Sequence, residues 1–372
     1  MALAAIPRPI ADLPWRVLWI VVALGAIGAV ALYSVSPVVG GSFRPYALNH
    51  IVRFIAFLGL AIGLSYIRPR IFQEFAWAAY AGGIVLLIIT LALGTIGGGA
   101  RSWLELGFLR IQPSELMKPI LVLVLARFYA FMPAREAGGW SALWPPALFL
   151  GPVILLILLQ PDLGTATLIV FTTIAMMFLA GLPLSWFLGG AAAVAAAIPI
   201  GFSFMLPHQK ERVLIFLNPE QDPLGAGYHI SQSQIAIGSG GLFGKGYLNG
   251  TQASGDFLPE PHTDFIFAAI AEEWGLVGGL VLILLFTLLL RWGMRVSADA
   301  KDRFEKLTAA GLTMTIFFYL AINLMMVMGL APVVGIPLPL VSYGGSAMLT
   351  VMICIGILMA IDRQSRRDPR RN

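Results

Sequence analysis

"HTDFIFAAIAEEWGLVGGLVLILLFTLLLR", residues 262–291, is the run on which the fold turns. Between Phe265 and Leu290 only Glu272 and Glu273 carry charge. The stretch is long enough to cross a hydrocarbon core, which takes about 17–25 residues of helix. Nine more apolar runs follow the same logic, at about 15–34, 51–67, 75–93, 115–132, 146–160, 163–180, 184–206, 307–330 and 343–361. The chain is 58% hydrophobic and 12% charged, with a mean hydropathy of +0.85. A soluble domain carries about 25% charged residues, so too little polar surface remains here to face water. The expectation is an all-α, polytopic membrane protein, one membrane domain over 1–372 with ten transmembrane helices.

Two local features bear on that count. Gln160-Pro161-Asp162 interrupts a long apolar stretch, and a proline and a carboxylate in mid-bilayer would be costly, so the break reads as a tight hairpin between two spans. Ala29-Val30-Ala31 looks like a signal-peptidase site but sits inside a run too long for a signal peptide, which makes the first span an uncleaved anchor. Cys354 is the only cysteine, so no intrachain disulfide can form.

Charge sets the orientation. With both termini on one side, that side holds 16 of the 24 basic residues: the pairs Arg68/Arg70 and Arg127/Arg135, the group from Arg291 to Lys306, and five arginines from Arg363 to Arg371 among them. Basic excess marks the cytoplasmic face. It also accounts for the net charge of +5 and the pI near 9.5 without nucleic acid, and the arginine-rich tail suits anionic lipid headgroups.

The one long connection, about 207–264, lies on the outer side. Its piece YHISQSQIAIGS predicts a short helix near the membrane surface. GSGGLFGKG is not a phosphate loop, because Ser239 and Gly246 stand where a Walker motif needs glycine and Ser or Thr. Asn-Gly-Thr at Asn249 is a glycosylation triplet too short to exceed chance.

Outer-side charges carry the chemistry. In QPSELMKP, residues 112–119, Pro113 suits a first helical turn, and Glu115 and Lys118 share a helix face. They read either as a structural ion pair or as the lining of a cavity beside reacting groups. Arg53, Arg101 and Arg110 bring guanidinium forks that match anionic oxygens. Singly each suits a lipid headgroup; together they suggest a phosphate-bearing lipid, and Arg212 adds to the outer-side basic set. Asp162 in QPDLGTA suits a helix cap. Asp264, at the expected helix start after His262 and Thr263, reads as a cap or as an ionised base, and the helix dipole would lower its pKa. Glu272 and Glu273, about 12 Å deeper at 1.5 Å per residue, read as cavity or network residues. His262 lacks partners at metal-ligand spacing.

QPSELMKP, QPDLGTA, DPLGAGYHISQSQIAIGSGGLFGKG, LPEPHTDFIFAAIAEEWG and PLPLVSYGGSA, in this order, resemble the SEDS family (shape, elongation, division and sporulation), and its elongation member most. The resemblance runs from the first span to the last. It implies a peptidoglycan glycosyltransferase polymerising lipid II on the outer face of the bacterial inner membrane, with a class B penicillin-binding protein and other elongation-complex proteins as partners. It makes Asp264 the essential aspartate, Glu115 and Lys118 the cavity pair, and Asp162 the carboxylate of the QPD motif. Arg53, Arg101 and Arg110 match its basic outer positions, although family sequences often read Ala-Lys-Arg-Trp-Leu where this chain has Ala100-Arg101-Ser102-Trp103-Leu104. The implied reaction is an inverting transfer with Asp264 as general base. Arginines or a divalent cation (Mg or Mn) would steady the leaving pyrophosphate. A lipid II flippase and a non-catalytic scaffold of the elongation complex are the other readings. Against the first, the non-terminal charges cluster at the outer end, and no basic residue of that span accompanies Glu272 and Glu273.

Overall fold

The computed structural model describes residues 12–36, 45–97, 100–106, 109–136, 138–204, 226–254, 257–258 and 260–367. Each apolar run carries a helix, because a backbone in lipid must satisfy its own polar groups. The helices are α1 (Trp15–Val35), α2 (Pro45–Leu64), α3 (Pro69–Leu93), α4 (Pro113–Phe131), α5 (Trp144–Leu158), α6 (Leu163–Ala180) and α7 (Leu184–Phe204). After α8 (Ala226–Ser239) come α9 (Ile266–Asp299), α10 (Arg303–Val327) and α11 (Gly345–Arg367). Helices α2 and α3 start six residues before their apolar runs, since polar first turns remain helical beyond the hydrocarbon. Among the described residues, eight helices are long and apolar enough to cross a membrane. The ten expected spans include two others: α4, which carries Glu115, Lys118 and Arg127, and α7, whose apolar stretch counts only from Leu184 to Ile198.

The core is formed by α10 and α11, buried over most of their length, with α4 and the inner faces of α6 and α9; α2 and α3 leave most of their surface outward. Tyr129, Phe286, Phe304 and Tyr319 are the largest fully buried side chains. The hairpin at Gln160-Pro161-Asp162 forms as expected, with α5 ending at Leu158 and α6 starting at Leu163.

Alternating helices give the bundle two ends. At one, Arg303 donates to the Met132 carbonyl at 2.8 Å and Arg363 to that of Ser65 at 2.9 Å, so basic side chains stitch the turns there. The opposite end gathers the starts of α2, α4, α6, α9 and α11. It also carries an antiparallel sheet of β1 (Thr95–Gly97), β2 (Ala100–Leu106) and β3 (Leu109–Ile111), in register Glu105↔Arg110. The segment that holds Arg101 and Arg110 is therefore a small meander. Its outer strands are only three residues long, too short for a period-two pattern to show in the sequence.

Candidate active site

Asp264 sits in the turn before α9, partly buried. The expectation of a cap is corrected: Phe265 holds the cap position and no side chain closes the helix end. The expectation of a lowered pKa is corrected with it. Burial, and secondarily the charge of Glu260, push the Asp264 carboxyl up from 3.8 to about 6. Desolvation disfavours the charged form more than the distant amides of the helix start favour it. Across from the carboxylate lies Gly335, where a Cβ would stand 3.6 Å from Oδ2. Asn323 of α10 donates to the Asp264 carbonyl at 2.9 Å and to that of Ile336 at 2.7 Å, tying the turn to the loop 331–344.

One face of α2 reads the same loop. Tyr46 stacks on His262 with ring centres 4.3 Å apart, and the His262 carbonyl accepts from the Tyr343 amide at 2.8 Å. Arg53, two turns further along, places its guanidinium 5.0 Å from the Tyr343 ring centre. Residues 46 and 53 lie seven apart and share a helix face, so the helix start, the turn and the loop close into one cluster. Burial lowers the His262 pKa, with the Glu260 carboxylate, 3.4 Å from Nε2, opposing it. Thr263 hydrogen-bonds back to the Glu260 carbonyl at 3.4 Å.

Asp162 caps α6 by accepting from the Thr165 amide at 3.0 Å, and its other oxygen accepts from Gln112 Nε2 at 2.6 Å and Ser114 Oγ at 3.3 Å. The Gln112 amide in turn donates to Ser346 Oγ at 3.2 Å. QPS and QPD thus lock the starts of α4, α6 and α11 together. Glu115 and Lys118 pair with each other and both bond the Tyr319 hydroxyl, with Lys118 Nζ at 2.7 Å from it. All three are buried. Tyr319 and Asn323 lie four apart on one face of α10, which puts this triad about one turn beneath the Asp264 peptide.

Arg110 lies on β3, exposed, 3.9 Å from Glu105 and 4.7 Å from the Trp103 ring centre. Arg101 lies on β2. Arg212 falls outside the described residues. Glu272 has a basic partner after all: Lys245, from the glycine-rich loop, lies 2.7 Å from Oε1. Sequence could not show this, because the loop folds back against the helix from 27 positions away. Glu273 accepts from Ser34 of α1.

Tyr46, Tyr319, Asn323 and Tyr343 escaped the sequence reading. For Tyr319 and Asn323 a signal was present, two polar groups one turn apart inside an apolar span. For Tyr46 and Tyr343 none was, because their roles come from the packing of distant segments.

Residues 15–367 match the cell cycle protein family FtsW/RodA/SpoVE. The chain is 47% identical, over 82% of each chain, to the peptidoglycan glycosyltransferase MrdB of Escherichia coli K12. It is 33% identical to the peptidoglycan glycosyltransferase RodA of Treponema pallidum, covering 95% of this chain and 98% of that one. Among solved structures, one described as "Structural coordination of polymerization and crosslinking by a peptidoglycan synthase complex" superposes with a TM-score of 0.83 at 33% identity, over 96% of this chain and 99% of that one. The rod-shape-determining protein RodA of Thermus thermophilus superposes with a TM-score of 0.71 at 30% identity, over 96% and 98%. With the family match over residues 15–367 and relatives and solved structures matched along nearly its whole length, the chain belongs to the FtsW/RodA/SpoVE family, the SEDS proteins.

Proposed function

We propose that the chain is a peptidoglycan glycosyltransferase that polymerises lipid II during cell elongation, with Asp264 as its general base. The observation that carries the reading is the Asp264 carboxylate itself. It is half-sheltered in the turn leading into α9, with a pKa raised to about 6, in a cluster with Arg53, His262 and Tyr343. A base with a pKa near the working pH is ionised enough to accept a proton and basic enough to pull it.

In the reaction, the 4-hydroxyl of the acceptor N-acetylglucosamine attacks the anomeric carbon of the donor N-acetylmuramic acid. The new glycosidic bond forms as the bond to the undecaprenyl pyrophosphate oxygen breaks, with inversion. The hydroxyl proton passes to Asp264, and the pyrophosphate leaves with the bonding pair. Arg53, and Arg101 and Arg110 on the sheet, supply positive charge at the same end for the leaving group. A hard divalent cation that keeps waters and shares phosphate oxygens takes only one or two carboxylates from a protein; with Asp264 as the base, Glu260, whose charge acts on it, would be the one offered. Bound there, such an ion would neutralise charge on the departing pyrophosphate.

The basic end of the bundle faces the cytoplasm with both termini, ten helices cross the inner membrane, and the Asp264 end faces the periplasm. A class B penicillin-binding protein crosslinks the strands made. Export of lipid II is the weaker reading. The Glu272 and Lys245 charges neutralise each other near the Asp264 end and do not continue as a path through the bundle.

The test is polymerisation of purified lipid II by the chain with its partner. Wild type makes glycan strands, and Asp264→Asn, equally folded and partner-bound, makes none. Wild-type rates in Asp264→Asn would remove the base, and strand-free lipid II turnover by wild type would remove the polymerase.

A further inference from the structure

Gly275 breaks α9. Its φ of 68° and ψ of −165° separate a short outer segment, 266–274, from the long inner one. Only glycine adopts this conformation readily. A break in a membrane helix orphans backbone groups, which must find partners within the protein. The glycine-rich loop after α8 provides them on both sides. The carbonyls of Gly241 and Leu242 accept from Leu276 at 2.9 Å and Val277 at 3.2 Å, and the amides of Lys245 and Gly246 donate to the carbonyls of Glu272 and Glu273, each at 3.0 Å. A Cβ on Gly240 or Gly244 would overlap that helix backbone, which is why the loop is glycine-rich.

The Glu272 side chain, fully buried, completes the junction. It accepts from Lys245 Nζ at 2.7 Å, the Thr251 amide at 2.8 Å, the Thr251 hydroxyl at 3.0 Å and the Gln252 amide at 3.0 Å. The Gln252 carbonyl then accepts from the Leu258 amide at 3.0 Å, close to where the chain turns into Glu260–Asp264. Asp264 is therefore tethered to Glu272 from both directions, through the outer helix segment that follows it and through the loop that precedes it.

We propose that Glu272, clamped by Lys245, is a positioning residue for Asp264. The inference rests on Asp264 as the base. The outer segment pivots at Gly275, eleven residues from Asp264, or about 16 Å at 1.5 Å per residue. A tilt of about 10° would carry the carboxylate some ~3 Å, well beyond the displacement of about 1 Å that misaligns a reacting group. Asn323 anchors one end of this lever, and the Glu272–Lys245 pair stops its rotation.

The experiment measures lipid II polymerisation by the purified chain with its partner, for wild type, Glu272→Gln, Lys245→Met, Lys245→Arg and Thr251→Val, with the thermal midpoint of each. Glu272→Gln and Lys245→Met lower kcat about 10- to 100-fold while KM stays within about twofold. Lys245→Arg, which keeps the charge, recovers most of the rate. Thr251→Val, the mildest change, loses several-fold and decides the matter if Glu272→Gln fails to fold. Unchanged kcat in the folded variants, or a loss confined to KM, would overturn the latch while leaving an active wild type and Asp264 as its base. An inactive wild type would instead count against the polymerase reading.

Discussion

The Asn323 amide donates to the backbone carbonyls of both Asp264, at 2.9 Å, and Ile336, at 2.7 Å. One fully buried side chain of α10 thereby sets the distance between the turn that carries the carboxylate and the loop that faces it.

Replacing that amide tests the clamp. Asn323→Leu keeps similar volume but leaves two carbonyls without their donor, which costs about 1–3 kcal/mol. The expected result is a lower thermal midpoint and a loss of polymerisation of at least about tenfold per folded molecule. Full activity in the surviving folded fraction would show that the clamp only stabilises.

The raised pKa of Asp264 gives two pH signatures. Polymerisation should fall as pH drops through about 6, because the base becomes protonated. Glu260→Gln, which removes the lesser cause of the shift, should move that limb to lower pH. For stability, the folded state holds the proton more tightly than the unfolded chain, so stability is greatest at low pH and declines as pH rises through about 6. Asp264→Asn should therefore be more stable than wild type at pH 7.5, by at most about 3 kcal/mol at roughly 1.4 kcal/mol per pKa unit. The difference should vanish below pH 4. Parallel melting curves at both pH values would contradict the burial of this carboxylate.

Glu115, Lys118 and Tyr319 form a closed set, and single deletions leave a buried charge unpaired. Lys118→Met or Glu115→Leu should each cost about 3–5 kcal/mol, whereas the double variant should recover much of the loss. Tyr319→Phe should cost about 1–3 kcal/mol. Unfolding in detergent measures these terms; additive losses in the double variant would mean the pair is not coupled.

Gly164, in QPDLGTA, has no room for a side chain, since a Cβ would overlap the Val334 carbonyl. Gly164→Ala should displace the loop 331–344 relative to Asp264. It should cost about 1–3 kcal/mol in strain and reduce polymerisation more than it reduces yield. A variant with wild-type rate would show that the loop tolerates the displacement.

Much of the fold was legible because the signals are local. Apolar runs longer than a bilayer core become helices wherever they lie, Pro113 starts α4 as a first-turn proline should, and Asp162 caps α6. The readings that failed did so where neighbours decide. Asp264 followed the cap pattern but sits one residue ahead of the cap position, and burial overrides the dipole. The segment around Arg101 and Arg110 pairs into strands too short to show in the sequence.

Sequence alone determined the membrane class, the helix-forming runs, the charge asymmetry and the family motifs, since each depends on residues adjacent along the chain. The tertiary structure decided which of the charged groups meet. Lys118 finds Tyr319, Ser34 finds Glu273 and Tyr46 finds His262. A carboxylate's protonation and position depend on whatever packs within a few ångströms of it, and those neighbours are brought there by helices far apart in the chain.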